Sequence, residues 1–189
     1  TGFEVKGLYS LFGFQTAVKI HNFVGNTWLI AFLFFVFWVI TTGEWRQYVP
    51  TTKKMFAVVR YYLYGIFRGE SHPVPKRQDA KHNPLQRITY LILAAILLPV
   101  QMVTGLFYWG YNSWPAWGLS GLSLEVVAMV HLAGAFAILS FVVVHIYMIT
   151  TGRTIFAHTR AMISGWEEVE DVDTVGDWEV KTKAAKAKA

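Results

Sequence analysis

Three long runs of apolar residues, separated by polar connections, dominate the pattern of this chain. They lie at about residues 22–41, 88–109 and 125–150, and each is close to or above the roughly 20 apolar residues that cross a hydrocarbon core. Charged residues make up 15% of the chain, against roughly 25% in average soluble domains, which leaves too little polar sequence to cover three such helices. The pattern therefore predicts an all-α membrane protein, a transmembrane helix bundle with three spans in this chain.

The polar connections differ in charge, and this difference predicts an orientation. The second connection, residues 110–124, has neither lysine nor arginine, whereas the first is rich in both. Because positively charged loops stay in the cytoplasm, the first connection and the C-terminus are predicted to be cytoplasmic and Thr1 to lie outside. An outside start without a signal sequence implies a further helix upstream of this chain. The cations of the first connection are Arg46, Lys53, Lys54, Arg60, Arg68, Lys76, Arg77, Lys81 and Arg87.

Residues 1–151 are accordingly predicted to form the membrane bundle, and residues 152–189 a cytoplasmic tail. Within the first connection, apolar residues recur at helical spacing among the cations of residues 53–68. This pattern is typical of an amphipathic helix, lying either on membrane lipid at the inner surface or on neighbouring protein. The tail has an acidic stretch and then a low-complexity run of lysine and alanine, so its end is predicted to be disordered.

The chain contains no cysteine. Covalent attachment of a c-type haem, thiolate-held iron–sulfur clusters and disulfides within this chain are therefore excluded. Any haem must be held without covalent bonds, by histidine or methionine as axial ligands of its iron.

Two histidines of the third span, His131 and His145, are 14 residues apart. In an α-helix this separation advances about 21 Å and returns to within about 40° of the same face, so both imidazoles point the same way at two membrane depths. Histidine inside a membrane span is costly and marks a functional position. Two stacked haems explain the pair; a satisfied polar residue in the core and a proton-relay histidine are the alternatives.

A haem with two axial ligands needs a second side chain at matching depth. His21 begins the first span at its outer side, level with His131, and these two are predicted to hold one haem. His145 lies near the inner side, and its partner is expected from the upstream helix. His72 and His82 are predicted in the cytoplasmic loop, and His158 in the tail.

The start of the second span carries a more specific pattern. Residues 81–90 read Lys-His-Asn-Pro-Leu-Gln-Arg-Ile-Thr-Tyr, and the span ends with Thr104, Gly105 and Leu106. Together with the two histidines of the third span, they resemble the cytochrome b (gamma) subunits that anchor formate dehydrogenase, thiosulfate reductase and Ni,Fe-hydrogenase. That family begins the helix with Lys-Tyr-Asn-Pro-Leu-Gln, so His82 is a departure from its pattern. The resemblance covers about residues 20–166.

The resemblance implies a four-helix core with two haem b groups. The outer haem iron would be held by His21 and His131, and the inner one by His145 and a ligand from the helix that this chain lacks. It further implies an outer iron–sulfur partner subunit, through it a catalytic subunit, and a place in the cytoplasmic membrane of a bacterium or archaeon. The chain would be an electron-transfer subunit without substrate-bond chemistry of its own. Nucleic acid is not expected as a partner.

The same resemblance implies a quinone pocket at the inner haem, lined by Asn83 and Gln86. An amide suits this role because it can hydrogen-bond a quinone oxygen or a water that relays a proton. The alternative interpretation is structural: Asn83 caps the helix and Pro84 occupies the favoured first helical position. Both roles are compatible.

Three other functions are compatible with a small helical membrane protein. A haem-free anchor would use the histidines for packing. A proton-coupled transporter would need charged residues along a path, and the spans contain almost none. A standalone cytochrome b reductase would need four haem ligands of its own, and this chain has three in its spans.

Overall fold

The computed structural model describes residues 1–74, 81–151 and 154–165. These residues form helices and connecting turns, with no β-strand among them. The acidic stretch and the low-complexity end predicted for the tail lie outside the described residues, as do Lys76 and Arg77. The α-helices of the described part are α1 (Gly2–Val5), α2 (Phe14–Thr42), α3 (Met55–Arg60), α4 (Pro84–Ile92), α5 (Leu98–Trp109), α6 (Leu124–Ile149) and α7 (Ala157–Ser164).

Among the described residues, three helices are long and apolar enough to cross a membrane: Phe14–Thr42, Pro84–Trp109 and Leu124–Ile149. The predicted class, an all-α membrane protein with three spans, is therefore confirmed. The first helix starts well before the predicted residue 22, because Gln15 and Lys19 interrupt the apolar run without stopping the helix. Its start is set instead by Gly13, whose φ of 79° lies in the left-handed region that favours glycine.

Large apolar side chains on the spans point away from the rest of the chain. On α2, Phe23 is 73% exposed, Phe37 62% and Ile40 65%. In water a continuous apolar surface of this size would cause aggregation, whereas in a bilayer it faces lipid or neighbouring subunits. The long helices thus keep their polar backbone satisfied internally and present apolar surface outward, as a membrane span must.

The second span is not a uniform α-helix. A π-helical turn, Leu93–Leu97, separates α4 from α5, and Pro99 lies in the first turn of α5. Proline has no backbone N–H and its ring clashes with the carbonyl four residues earlier, so an uninterrupted α-helix is unfavourable here. A π turn accommodates the proline by inserting one extra residue, which is how such turns commonly arise inside helices.

The chain divides into two compact units, Thr1–Trp45 with Ala95–Ala137 and Arg46–Ala94 with Ile138–Ala189. In the first unit, α2 packs against α5. The short α1 is held by two contacts. Phe3 packs on Phe136 with ring centres 5.3 Å apart. Glu4 is buried, and its Oε1 accepts hydrogen bonds from the backbone N–H groups of Leu11, Phe12 and Gly13 at 2.7, 2.6 and 2.9 Å.

The Glu4 carboxylate makes the attachment of the N-terminal segment sensitive to pH. Burial alone would raise the pKa of Glu4, but the three N–H donors outweigh it and hold the pKa below its ordinary value of 4.5. A lowered pKa means that the stabilisation is present above the ordinary value and is lost as pH falls through the folded-state value. We expect E4Q to reduce hydrogen-exchange protection of Leu11, Phe12 and Gly13 at neutral pH to the level of the wild type in acid.

The matched control is E125Q, since Glu125 is an exposed carboxylate in the first turn of α6. Unchanged protection of residues 11–13 in E4Q at neutral pH would contradict the anchoring role.

In the second unit, α3 packs against α4. Helical turns continue from α3 through the π turn Tyr61–Gly65 to a 3₁₀ turn, Ile66–Arg68. Val58 is fully buried against Val74, with Tyr62 and Leu85 packed around them. The opposite side of the same helical segment is apolar and exposed: Phe56 is 84% and Phe67 72% exposed. That side suits lipid or a neighbouring protein equally, so the placement of residues 53–68 on the inner membrane surface stays a prediction.

Candidate haem-binding sites

The first unit brings together the two histidines that were predicted to share a haem. His21, on α2, and His131, on α6, have ring centres 6.2 Å apart, with the ring planes at 88°. Both side chains are half-buried. The structure therefore places two imidazoles, from two different helices, side by side within the span region.

The spacing of these rings fits two axial ligands of one metal ion. A metal–imidazole bond is about 2 Å long and the bonded nitrogen lies about 1.1 Å from the ring centre, so two rings on opposite sides of one ion have centres about 6 Å apart. A metal held by protein ligands alone would need more donors, and no group of three His, Cys, Asp or Glu side chains converges within residues 1–74, 81–151 and 154–165. The donor set thus matches haem iron, to which the porphyrin supplies the remaining ligands.

The His131 ring is held from α5 by polar atoms on both of its nitrogens. Nδ1 lies 3.1 Å from the backbone oxygen of Gln101 and 3.1 Å from Oγ1 of Thr104. Nε2 lies 3.1 Å from the side-chain amide nitrogen of Gln101, which donates to it. A haem iron would bind Nε2 in place of this amide, so the Gln101 side chain has to turn aside when the site is loaded.

Two glycines make room for this arrangement. A Cβ on Gly105 would lie 3.1 Å from Cε1 of His131, tighter than ordinary side-chain contacts. A Cβ on Gly134 would overlap the side-chain oxygen of Gln101. That oxygen, Oε1, is buried and makes no hydrogen bond within the described part of the chain. Among the described residues, Oε1 of Gln101 thus lacks a hydrogen-bond partner close to His131, where the two glycines leave room. These features fit a site that binds a cofactor.

The N-terminal segment of the first unit lies against His21. The Gly2 backbone lies against the imidazole, since a Cβ there would be 3.5 Å from Cε1 of His21. The Glu4 and Phe3 contacts hold this segment in place. One edge of the half-buried His21 ring is thereby covered by the N-terminal segment.

The second unit holds His145, the third predicted ligand. Its ring stacks on Phe141 with centres 5.4 Å apart and planes at 14°. Further ring contacts lead from Phe141 to Tyr90 at 6.4 Å, from Tyr90 to His82 at 5.1 Å, and from His82 to Tyr48 at 5.4 Å. Among the residues that the structure describes, no second histidine ring contacts His145. A partner ligand from outside this chain stays a prediction.

Asn83 and Gln86 form the N-terminal cap of α4. Oδ1 of Asn83 accepts from the Gln86 N–H at 2.9 Å, and Oε1 of Gln86 accepts from the Asn83 N–H at 3.0 Å, with Pro84 at the start of the helix. The prediction that Asn83 caps this helix, with Pro84 at its first position, is therefore confirmed. Asn83 is 7% exposed and also donates to the Tyr62 hydroxyl at 2.9 Å. The quinone role of the two amides stays a prediction.

Tyr62 is one of three residues near these sites whose contacts the sequence did not predict. Burial raises the pKa of Tyr62, although the hydrogen bond from Asn83 lowers it in part, so its hydroxyl stays protonated at neutral pH. Gln101 and Thr104 are the other two. The signal that marks Gln101 is its polarity inside an apolar span. A buried amide requires a partner, and here that partner is His131.

The chain is similar to known proteins. The family profile described as prokaryotic cytochrome b561 matches residues 1–165. The Escherichia coli (strain K12) protein named "Putative cytochrome YdhU" is 33% identical over 117 residues, which are 57% of this chain and 40% of that protein. The match thus spans less than half the length of that relative. No solved structure gives a significant match.

Proposed function

The chain belongs to the prokaryotic cytochrome b561 family, and from this premise we propose that it is the membrane cytochrome b subunit of a respiratory oxidoreductase. In this role it passes electrons between an iron–sulfur partner subunit at the outer side and a quinone near the inner side. Family membership implies a membrane protein that binds b-type haem and transfers electrons. It argues against a haem-free anchor. The observation that carries the proposal is the His21–His131 pair at 6.2 Å.

The proposal assigns two haem b groups to the assembled protein. His21 and His131 hold one, and His145 holds the other together with a ligand supplied from outside this chain. When bound, haem iron supplies one-electron oxidation and reduction, whose potential depends on its axial ligands and their surroundings. The chain's own histidines would hold the iron atoms, the N-terminal segment lies against His21, and the Gln101 carbonyl and the Thr104 hydroxyl orient His131.

The finer placement, among the gamma subunits of formate dehydrogenase, thiosulfate reductase and Ni,Fe-hydrogenase complexes, rests on the sequence around Asn83 and on the two histidines of α6. The protein then lies in the cytoplasmic membrane of a bacterium or archaeon, with its C-terminus in the cytoplasm. The excess of Lys and Arg in the connection between the first two spans supports this orientation. An iron–sulfur subunit, and through it a catalytic subunit, completes the complex.

A haem count on the purified complex tests the proposal. A pyridine haemochrome assay, with haem expressed per copy of this chain, is expected to give two b haems. One haem would retain the His21–His131 site and remove His145 from the ligands. No haem would overturn the proposal.

Gln86 is the amide through which the proposed quinone contact is best tested. Its Oε1 is used by the helix cap, whereas its side-chain nitrogen makes no hydrogen bond within the described residues and has N–H groups to offer a quinone oxygen. We expect Q86E to keep the cap, because glutamate caps helices equally well at this position, but to lose the N–H donor. Loss of one hydrogen bond of about 1–2 kcal/mol is expected to slow quinone turnover about five- to thirtyfold.

Quinone-driven oxidation of the reduced haems, followed by stopped-flow absorbance, measures this effect. The matched control is Gln15→Glu, an exposed amide in the first turn of α2. Haem content and melting temperature are expected to stay normal in both variants. Wild-type quinone turnover in Q86E would remove Gln86 from the pocket.

A further inference from the structure

The hydrogen bonds around His131 fix which ring nitrogen carries its hydrogen. The backbone oxygen of Gln101, 3.1 Å from Nδ1, is a carbonyl and only accepts. The Thr104 hydroxyl, also 3.1 Å from Nδ1, donates its own hydrogen to the Val100 carbonyl at 2.7 Å. Its oxygen therefore turns lone pairs toward the ring. With two acceptors at Nδ1, the hydrogen lies on Nδ1 and the lone pair on Nε2, the form of imidazole that binds a metal through Nε2.

The donor on the other nitrogen agrees with this assignment. The side-chain amide of Gln101 donates toward Nε2 at 3.1 Å, which requires a lone pair there. All three contacts of the ring are then satisfied by one tautomer, whereas the opposite tautomer would place the Nε2 hydrogen against an amide hydrogen. Metal-binding histidines typically donate their second ring N–H to a carbonyl, carboxylate or water, which orients the ring and makes the bound nitrogen more basic.

Gly105 is the reason that the ring reaches these acceptors. The Gln101 carbonyl and the Thr104 hydroxyl lie on the face of α5 that turns toward His131, and Gly105 shares this face. Because a Cβ at residue 105 would lie 3.1 Å from Cε1 of His131, a larger residue there would push the ring away from both oxygens. The Thr104 hydroxyl and the Gln101 carbonyl thus contact Nδ1, and Gly105 leaves the space that the ring needs to reach them.

We propose that Thr104 is a positioning residue that fixes the tautomer and ring orientation of His131 and lowers the reduction potential of the haem bound there. This inference rests on the proposed function, since it requires His131 to be a haem ligand. A hydrogen bond accepted from the Nδ1–H increases the electron density on Nε2. A ligand nitrogen that donates more electron density stabilises ferric over ferrous iron. Removing the acceptor therefore favours the ferrous state.

The test is T104V, which keeps the shape of the side chain and removes its oxygen, studied in the whole purified complex. We expect the midpoint potential of the His131 haem to shift in the positive direction, so that the ferrous-to-ferric ratio at a fixed ambient potential rises severalfold. We also expect its low-spin electron paramagnetic resonance signal to shift, because the imidazole plane loses one of its two Nδ1 contacts. T104S restores the hydroxyl and is expected to restore both readings.

The matched control is T27V. Thr27 is on α2 in the same unit, and its hydroxyl donates to the carbonyl four residues earlier at 2.9 Å, as Thr104 does, while facing solvent or lipid. T27V is expected to leave the potential unchanged. A second variant, Gly105→Ala, adds a Cβ that would push the His131 ring away from Thr104. It is expected to shift the potential in the same direction as T104V.

The outcomes separate this inference from the proposed function. Wild-type potential and resonance signal in both T104V and Gly105→Ala would overturn the role of Thr104 while leaving His131 as a ligand. If T104V loses the haem altogether, recovery of haem and potential in T104S supports the role, and failure of T104S to recover them overturns it. Full haem content in a His131→Ala variant would instead overturn the proposed function itself.

Discussion

Replacing His131 by alanine is expected to remove one haem b from each chain and to stop electron transfer through the first unit. The ring centres of His131 and His21 lie 6.2 Å apart, and the substitution removes the nitrogen that would bind the iron. Loss of a hydrogen bond to a metal ligand costs about 10–100-fold in metal affinity, and loss of the ligand itself costs more. The pyridine haemochrome assay and the reduced-minus-oxidised spectrum measure the loss.

The control for this experiment is His158→Ala, which removes an imidazole from α7. Both variants are expected to insert into membranes with normal helical content by circular dichroism. If His131→Ala binds as much haem as the wild type, His131 is not an axial ligand and the interpretation of the histidine pair is wrong.

Replacing His145 by alanine is expected to remove the other haem and to abolish electron exchange with the quinone, while the His21–His131 haem remains and still exchanges electrons with the partner subunit. The physical reason is that the His145 ring stacks on Phe141 in the second unit and takes no part in the hydrogen bonds that hold His131. Loss of half the haem, together with a single remaining low-spin resonance signal, is the expected reading.

The remaining haem gives this experiment its internal control, because its spectrum should match that of the wild type after subtraction of the missing component. Two haems retained in His145→Ala would show that the inner site uses other ligands. Loss of both haems would show that His145 supports the bundle as a whole.

Much of the fold follows from apolar length alone. A run of about 20 apolar residues has few alternatives to a membrane helix, because every backbone polar group must be satisfied within lipid. The ends were harder to predict. Phe14 begins α2 well before the apolar run, because the Glu4 carboxylate and Gly13 set the preceding turn through hydrogen bonds that no apolar pattern predicts. Asn83 and Pro84 carry a local capping signal, so the structural interpretation of α4 could be made from the sequence.

The candidate site also has a part that the sequence predicted and a part that it did not. Helical periodicity placed His131 and His145 on one face, and matching depth paired His131 with His21, whose ring the structure brings alongside. Gln101 and Thr104 escaped prediction, because their contacts with His131 depend on how α5 is rotated about its own axis. The apolar pattern of α5 is too uniform to predict that rotation, although the polarity of Gln101 marks one position on the helix.

The π turn Leu93–Leu97 lies directly before the residues of α5 that contact His131. One inserted residue amounts to a phase shift of about 100° in the helical wheel, so the sequence before the turn and the sequence after it follow separate registers. Losing that residue would bring Pro99 into an uninterrupted α-helix, which its ring disfavours, and would change which residues of α4 and α5 share a face. A bilayer alone tolerates spans that differ by several residues, whereas the register of this span depends on each one.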